Sequence, residues 1–235
     1  MDRHEFITGI VMKNIVVIAF IYLIGIVVLL AFNELNYRRL KIKGEITRKF
    51  AHFSATLATV PFPYIFPSHW YVFVLALLFF IALAVTQRSK QLKSIHDINR
   101  KSMGSYLLPL SIYVTFLISC LLENKFYYIL PMLILAICDP MAAILGINIK
   151  KYNGRIKIGK RKIDKTWLGT IAFFVTGMII AMIALYFHRE IFDFKTLWLS
   201  LLVALAGTIG ELMSWRGSDN LSIPLSVIVV LMIFL

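Results

Sequence analysis

The chain has 235 residues, 60% of them hydrophobic and only 16% charged, with a mean hydropathy of +0.81; a soluble domain carries roughly 25% charged residues. This excludes a soluble enzyme and identifies a membrane protein, so the formal net charge of +13 does not signal a nucleic-acid partner. Two cysteines, Cys120 and Cys138, both inside apolar runs, exclude a disulfide framework and a cysteine metal site.

Apolar runs close to the roughly 20 residues needed to cross a ~30 Å hydrocarbon core recur from one end of the sequence to the other. In chain order they predict eight spans: Val11 to Phe32, Phe50 to Phe66, Trp70 to Thr86, Tyr106 to Leu122, Phe126 to Ile147, Trp167 to Phe187, Leu197 to Met213 and Leu221 to Leu235. The fold class is therefore all-α, a polytopic bundle of about 7–8 transmembrane helices forming one domain over residues 1–235. The first span follows MDRHEF, which has no basic excess, and is expected to be an uncleaved helix rather than a secretory signal. The second contains Pro61 and Pro63 and is expected to be kinked or re-entrant. The last is short for a full crossing.

Assigning the loops alternately to two sides puts 20 of the 25 lysines and arginines on one side. By the positive-inside rule that side is cytoplasmic and both termini lie outside. The loop over residues 148–166 stands apart from the others. KKYNGRIKIGKRKIDK carries eight cations together with Gly154 and Gly159, more than orientation requires and suited to a triphosphate. Within it GRIKIGK fits the start of a P-loop, but Arg161 follows where Ser or Thr is needed and no strand precedes, so a Walker fold is rejected.

Acids inside spans are costly and are functional by default. Asp139 lies toward the cytoplasmic end of the fifth span, Glu211 at the same end of the seventh, and Asp219 and Asn220 in the turn SWRGSDNLSIP. Pro140, beside Asp139, is expected to break its helix. Acids that can hold Mg²⁺, facing lysines and glycines that can hold phosphates, are the parts that phosphoryl or nucleotidyl transfer needs. On a helix, Glu45, Arg48 and His52 share one face.

Four segments resemble, in the same order, the phytol kinase, dolichol kinase and CTP-dependent diacylglycerol kinase family: EITRKFAHF, CDPMAAILG, GKRKIDKTWLGT and ELMSWRGSDNLSIPL. The resemblance implies a polytopic enzyme that moves the terminal phosphoryl group of CTP, or another nucleoside triphosphate, to a lipid alcohol with Mg²⁺. It makes Asp139 the acid of a D-x-x-A-x-x-x-G motif, Lys165, Gly169 and Thr170 a K-x-x-x-G-[ST] stretch, and Glu211, Asp219, Asn220 and Pro224 the E…DNL-x-[IV]-P ending. Arg48, Lys49 and His52 match an R-K-x-x-H element. The expected roles follow: Asp139, Asp219 and Lys165 catalytic; Asp139, Glu211 and Asp219 on the metal; and Arg48, Lys49, His52, Lys160, Arg161, Lys162, Lys165, Gly169, Thr170 and Asn220 on the nucleotide. Cys138 stands where many members have glycine, and the compact basic loop favours a small prokaryotic-type enzyme. The nearest alternative is a phosphatidate cytidylyltransferase, disfavoured by the lack of a P-G-H-G-G…D-R-x-D ending. A transporter using its acids for ions is the other, and it leaves the basic loop unexplained.

Overall fold

The computed structural model describes residues 3–40, 44–88, 103–149, 154–158 and 161–235. In chain order the elements are α1 (Arg3–Leu40), α2 (Gly44–Thr59), α3 (Phe62–Ile65), α4 (His69–Arg88), α5 (Gly104–Leu121), α6 (Phe126–Asn148), a hairpin of β1 (Arg155–Ile158) and β2 (Arg161–Thr166), α7 (Trp167–Arg189), α8 (Phe194–Met213) and α9 (Asp219–Phe234). Six of these helices are long and apolar enough to cross a membrane, and α9 is a shorter apolar helix. The protein is an all-α polytopic membrane bundle. The second predicted span is divided between α2 and α3, with Pro61 at the N-cap of α3 and Pro63 in its first turn, because proline supplies no N–H to carry the helix through.

The architecture turns on α6. A helix that is apolar all round lies in a core or in lipid, and in α6 Tyr128, Leu130, Met132, Ile134, Leu135, Ala136 and Cys138 are fully buried. Helices α2, α5, α7 and α9 pack around it. By contrast, α1 leans mainly on α2 and turns Val17, Phe20, Ile24 and Val28 outward, as a lipid-facing helix does. Lipid tails are as apolar as leucine, so close contact rather than water exclusion must hold the helices together. Gly210 of α8 provides such a contact: a Cβ there would come within 2.7 Å of Ser226 Oγ and 2.9 Å of the Ser222 carbonyl oxygen in α9. At the far end of the bundle, Arg189 grips both oxygens of Asp193 at 2.5 and 2.9 Å. Asp193 in turn caps α8 by accepting from Thr196 N at 2.8 Å, the usual task of an acid at a helix start.

Antiparallel alternation gathers the end of α1, the starts of α2 and α5, the hairpin and the α8–α9 turn at one end of the bundle. Two bonds tie this end together: Met103 N donates to Arg216 O at 2.7 Å, and Asn220 Nδ2 donates to Gly104 O at 2.6 Å. Two expectations need correction. Pro140 does not break its helix, because α6 runs on to Asn148 with both Pro131 and Pro140 inside it; the surrounding helices hold its course, and only the N–H that would have met the Ala136 carbonyl is lost. Part of the basic segment is an antiparallel hairpin, with Lys157 paired to Lys162 and Ile158 to Arg161, and Ile156 buried beneath it.

The packing assignment is tested by Gly210→Ala against Gly25→Ala, where a Cβ would meet nothing within 4 Å. Thermal unfolding in detergent should show a loss of about 1–3 kcal/mol for the first, as overpacking costs, and no loss for the second.

Candidate active site

Helix α2 presents one face inward. Lys49, His52, Ala55, Thr56 and Thr59 are all buried, at spacings of three and four that place them on one side. On that face the Lys49 ammonium donates to both oxygens of Asp139, at 2.7 Å to Oδ1 and 2.5 Å to Oδ2. His52, one turn on, brings Nε2 to 3.6 Å from Asp139 Oδ2, and that nitrogen has no hydrogen-bond partner. Asp139 is 3% exposed and Lys49 5%. Taking such charges out of water costs several kcal/mol per ion, which pairing must offset.

A second charged group adjoins the first. Lys165, the penultimate residue of β2, places Nζ 2.5 Å from Glu211 Oε1 and 3.7 Å from Asp219 Oδ2. Burial alone would lower the Lys165 ammonium, but Asp219, Glu211 and Asp139 together raise it above the ordinary lysine value, so it stays charged. Glu211 Oε2 is buried without a hydrogen-bond partner. Asp219 opens α9 and accepts from Asn220 N at 3.1 Å. Two lysines thus face three carboxylates, with Arg48 close to His52 as a further cation.

The start of α7 closes the group. Thr166 is its N-cap and accepts from Gly169 N at 3.2 Å. A Cβ on Gly169 would lie 2.8 Å from the Ala142 carbonyl oxygen, and one on Gly146 2.7 Å from Thr166 Oγ1. The small residues after Asp139 therefore let the α7 N-terminus come against α6 beside the acids, its Trp167 N donating to the Gly154 carbonyl. Thr170 Oγ1, one turn in, is buried and unpartnered.

Of the residues expected from sequence, Lys49, His52, Asp139, Lys165, Gly169, Thr170, Glu211, Asp219 and Asn220 come together at this end of the bundle. Arg48 lines a small cavity next to His52. Lys160 lies outside the described residues, as do the side chains of Arg161, Lys162 and Glu45. Thr166 was not singled out from sequence, although a threonine just before an apolar run is a cap signal. Glu34, a further acid within α1, is paired by Arg38 at 2.7 Å.

Among the described residues, no three histidine, cysteine or acidic side chains form a ready metal cage. The donors present nevertheless suit Mg²⁺, which is usually held by one or two carboxylates plus substrate phosphates rather than by an all-protein cage. Glu211, with its unpartnered oxygen, and Asp219 beside it supply two.

The chain matches the family model described as the cytidylyltransferase family over residues 5–215. No curated protein and no solved structure matches it.

Removing the Asp139 charge should strand Lys49. Asp139→Asn is expected to cost about 3–5 kcal/mol in thermal unfolding, the usual result of breaking a buried pair from one side. Adding Lys49→Met should restore most of that stability.

Proposed function

This chain belongs to the cytidylyltransferase family, and from that premise we propose that it transfers the γ-phosphoryl group of CTP to the hydroxyl of a lipid alcohol. A CTP-related, lipid-modifying transferase is what membership establishes. The kinase reaction is our reading within it. The observation that carries it is the buried convergence of Lys49, His52 and Asp139 with Lys165, Glu211 and Asp219 at the basic end of the bundle. The four kinase-like segments supply exactly these residues and, through Gly169, the approach of the α7 N-terminus.

The triphosphate would lie between the lysines and the start of α7, its charge met by Lys49 and Lys165, with the Thr170 hydroxyl as a further donor. Glu211 and Asp219 would hold Mg²⁺, which when bound neutralises charge on the phosphate oxygens. Asp139 then acts by position: it fixes the Lys49 ammonium and faces His52. In the transfer the lipid oxygen forms a bond to the γ-phosphorus as the bond from that phosphorus to the bridging oxygen breaks. The electron pair leaves with CDP. The hydroxyl proton passes to the imidazole of His52, which lines the adjacent cavity and stands beside Asp139, as a general base would take it. With the positive-inside rule, this end faces the cytoplasm, where CTP is supplied.

The family's description favours a second reading, cytidylyl transfer to a lipid phosphate. The two differ in products, since a kinase releases CDP and a cytidylyltransferase releases pyrophosphate. A matrix of lipid alcohols (phytol, geranylgeraniol, a longer polyprenol, diacylglycerol) against the nucleoside triphosphates, read by mass, tests the proposal. The expected result is a lipid monophosphate with CTP and CDP in equal amount; pyrophosphate with a CDP-lipid would establish the second reading instead.

The assigned roles give a further expectation. His52→Gln should lower kcat about 10²–10⁴-fold, the range for losing a general base, with little change in KM for CTP. Glu211→Gln should instead raise the Mg²⁺ concentration needed for half-maximal rate.

A further inference from the structure

The described part of the molecule holds two hollows of different character beside α4 and α5. The smaller, about 40 Å³, lies among α1, α2, α4, α5 and the start of α9. Its walls are apolar, with Leu30, Ala55, Phe79 and Leu83 among them, and its polar end is formed by Arg48, His52, Ser105 and Asn220. The larger, about 580 Å³, is a groove on the surface of the α4–α5 pair, with Leu77, Phe80 and Leu110 in its lining. Those three side chains are exposed, and no member of the charged cluster lines it.

We infer that the smaller cavity receives the hydroxyl end of the acceptor lipid, which reaches it sideways through the seam between α1 and α4. This rests on the alcohol-acceptor reading above and adds where that alcohol binds. The cavity shares His52 with the charged cluster, so a group seated there is one side chain away from Asp139. Its size exceeds the roughly 10–15 Å³ that a single water needs, enough for a hydroxyl and its first carbon but not for a whole chain. The chain must therefore leave the cavity, and the α1–α4 seam opens toward the lipid-facing side of the bundle, where α1 turns apolar side chains outward. Helix α1 touches α4 only slightly, and Leu30, Phe79 and Leu83 line the cavity from these two helices.

The chemistry of the lining favours an alcohol over a phosphate. A phosphate monoester carries about −1.5 to −2 charges near neutrality, and Arg48 is the one lysine or arginine among the lining residues, with Asp139 close by. A hydroxyl both donates and accepts. Acceptors for its proton are prepared by two prolines: Pro109 and Pro224, inside α5 and α9, carry no N–H for the carbonyls four residues earlier. Those carbonyls belong to Ser105 and Asn220, both lining residues of the cavity. His52 is the third acceptor.

The test uses the full chain in lipid nanodiscs, with a long-chain alcohol bearing a diazirine near its hydroxyl. Light should attach it to Leu30, Phe79 or Leu83, as read by peptide mass. Ala55→Phe, which fills the cavity, should raise KM for the alcohol about ten-fold, the cost expected of overpacking, while KM for CTP is unchanged. Leu110→Trp in the outer groove should leave both unchanged. If wild-type enzyme makes lipid phosphate but attachment falls on Leu77 and Leu110, and Leu110→Trp rather than Ala55→Phe raises KM, the proposed cavity is wrong and the kinase reading stands. If wild-type enzyme releases pyrophosphate and makes no lipid phosphate, the alcohol-acceptor reading falls and takes this inference with it.

Discussion

The ion pair between Lys49 and Asp139 joins two helices far apart in sequence and sets the rest of the site around it. Lys49 comes from α2 and Asp139 from the buried α6. Because α6 is enclosed by apolar neighbours, an ionised carboxylate there must be matched, and α2 is held against it with Lys49 and His52 facing inward. Replacing a buried pair with well-packed apolar side chains is often neutral or stabilising, so stability alone does not account for these charges. Their chemistry does.

Around this pair the bundle arranges close backbone approach. Gly146 and Gly169 let α7 meet α6 beside the acids, and the hairpin ahead of α7 delivers Lys165 to Glu211 and Asp219. The result is a buried cluster of lysines and carboxylates beside a small, largely apolar cavity. In the proposed reaction a nucleotide would arrive from water and a lipid from the bilayer. This division follows from the position of the cluster near one end of the helices, about 20 Å along α6 at 1.5 Å per residue and short of its last turns.

Much of this was legible in the sequence because hydropathy reports transmembrane helices strongly. Seven of the eight apolar runs lie on single helices, six of them long and apolar enough to cross a membrane, and Pro61 and Pro63 mark the interrupted second run. The acids stood out for the same reason: Asp139 and Glu211 interrupt greasy segments. What could not be read was pairing. Lys49 and Asp139 are 90 residues apart, and nothing local in KFAHF states that its lysine meets both oxygens of that carboxylate. Pro140 misled because proline's effect depends on whether neighbours hold the helix straight. The hairpin has a signal of its own, since RIKIGKRKI alternates isoleucine with cations around a glycine as paired strands do, but the density of charge there equally suits a solvated loop.

The account stands on which phosphorus of CTP reaches the lipid. The direct measurement supplies purified enzyme in nanodiscs with a long-chain alcohol and with CTP labelled in either the α- or the γ-phosphate, and then counts the label in extracted lipid. The account predicts label in lipid from γ-labelled CTP alone, lost in His52→Gln; lipid labelled from α-labelled CTP would contradict it.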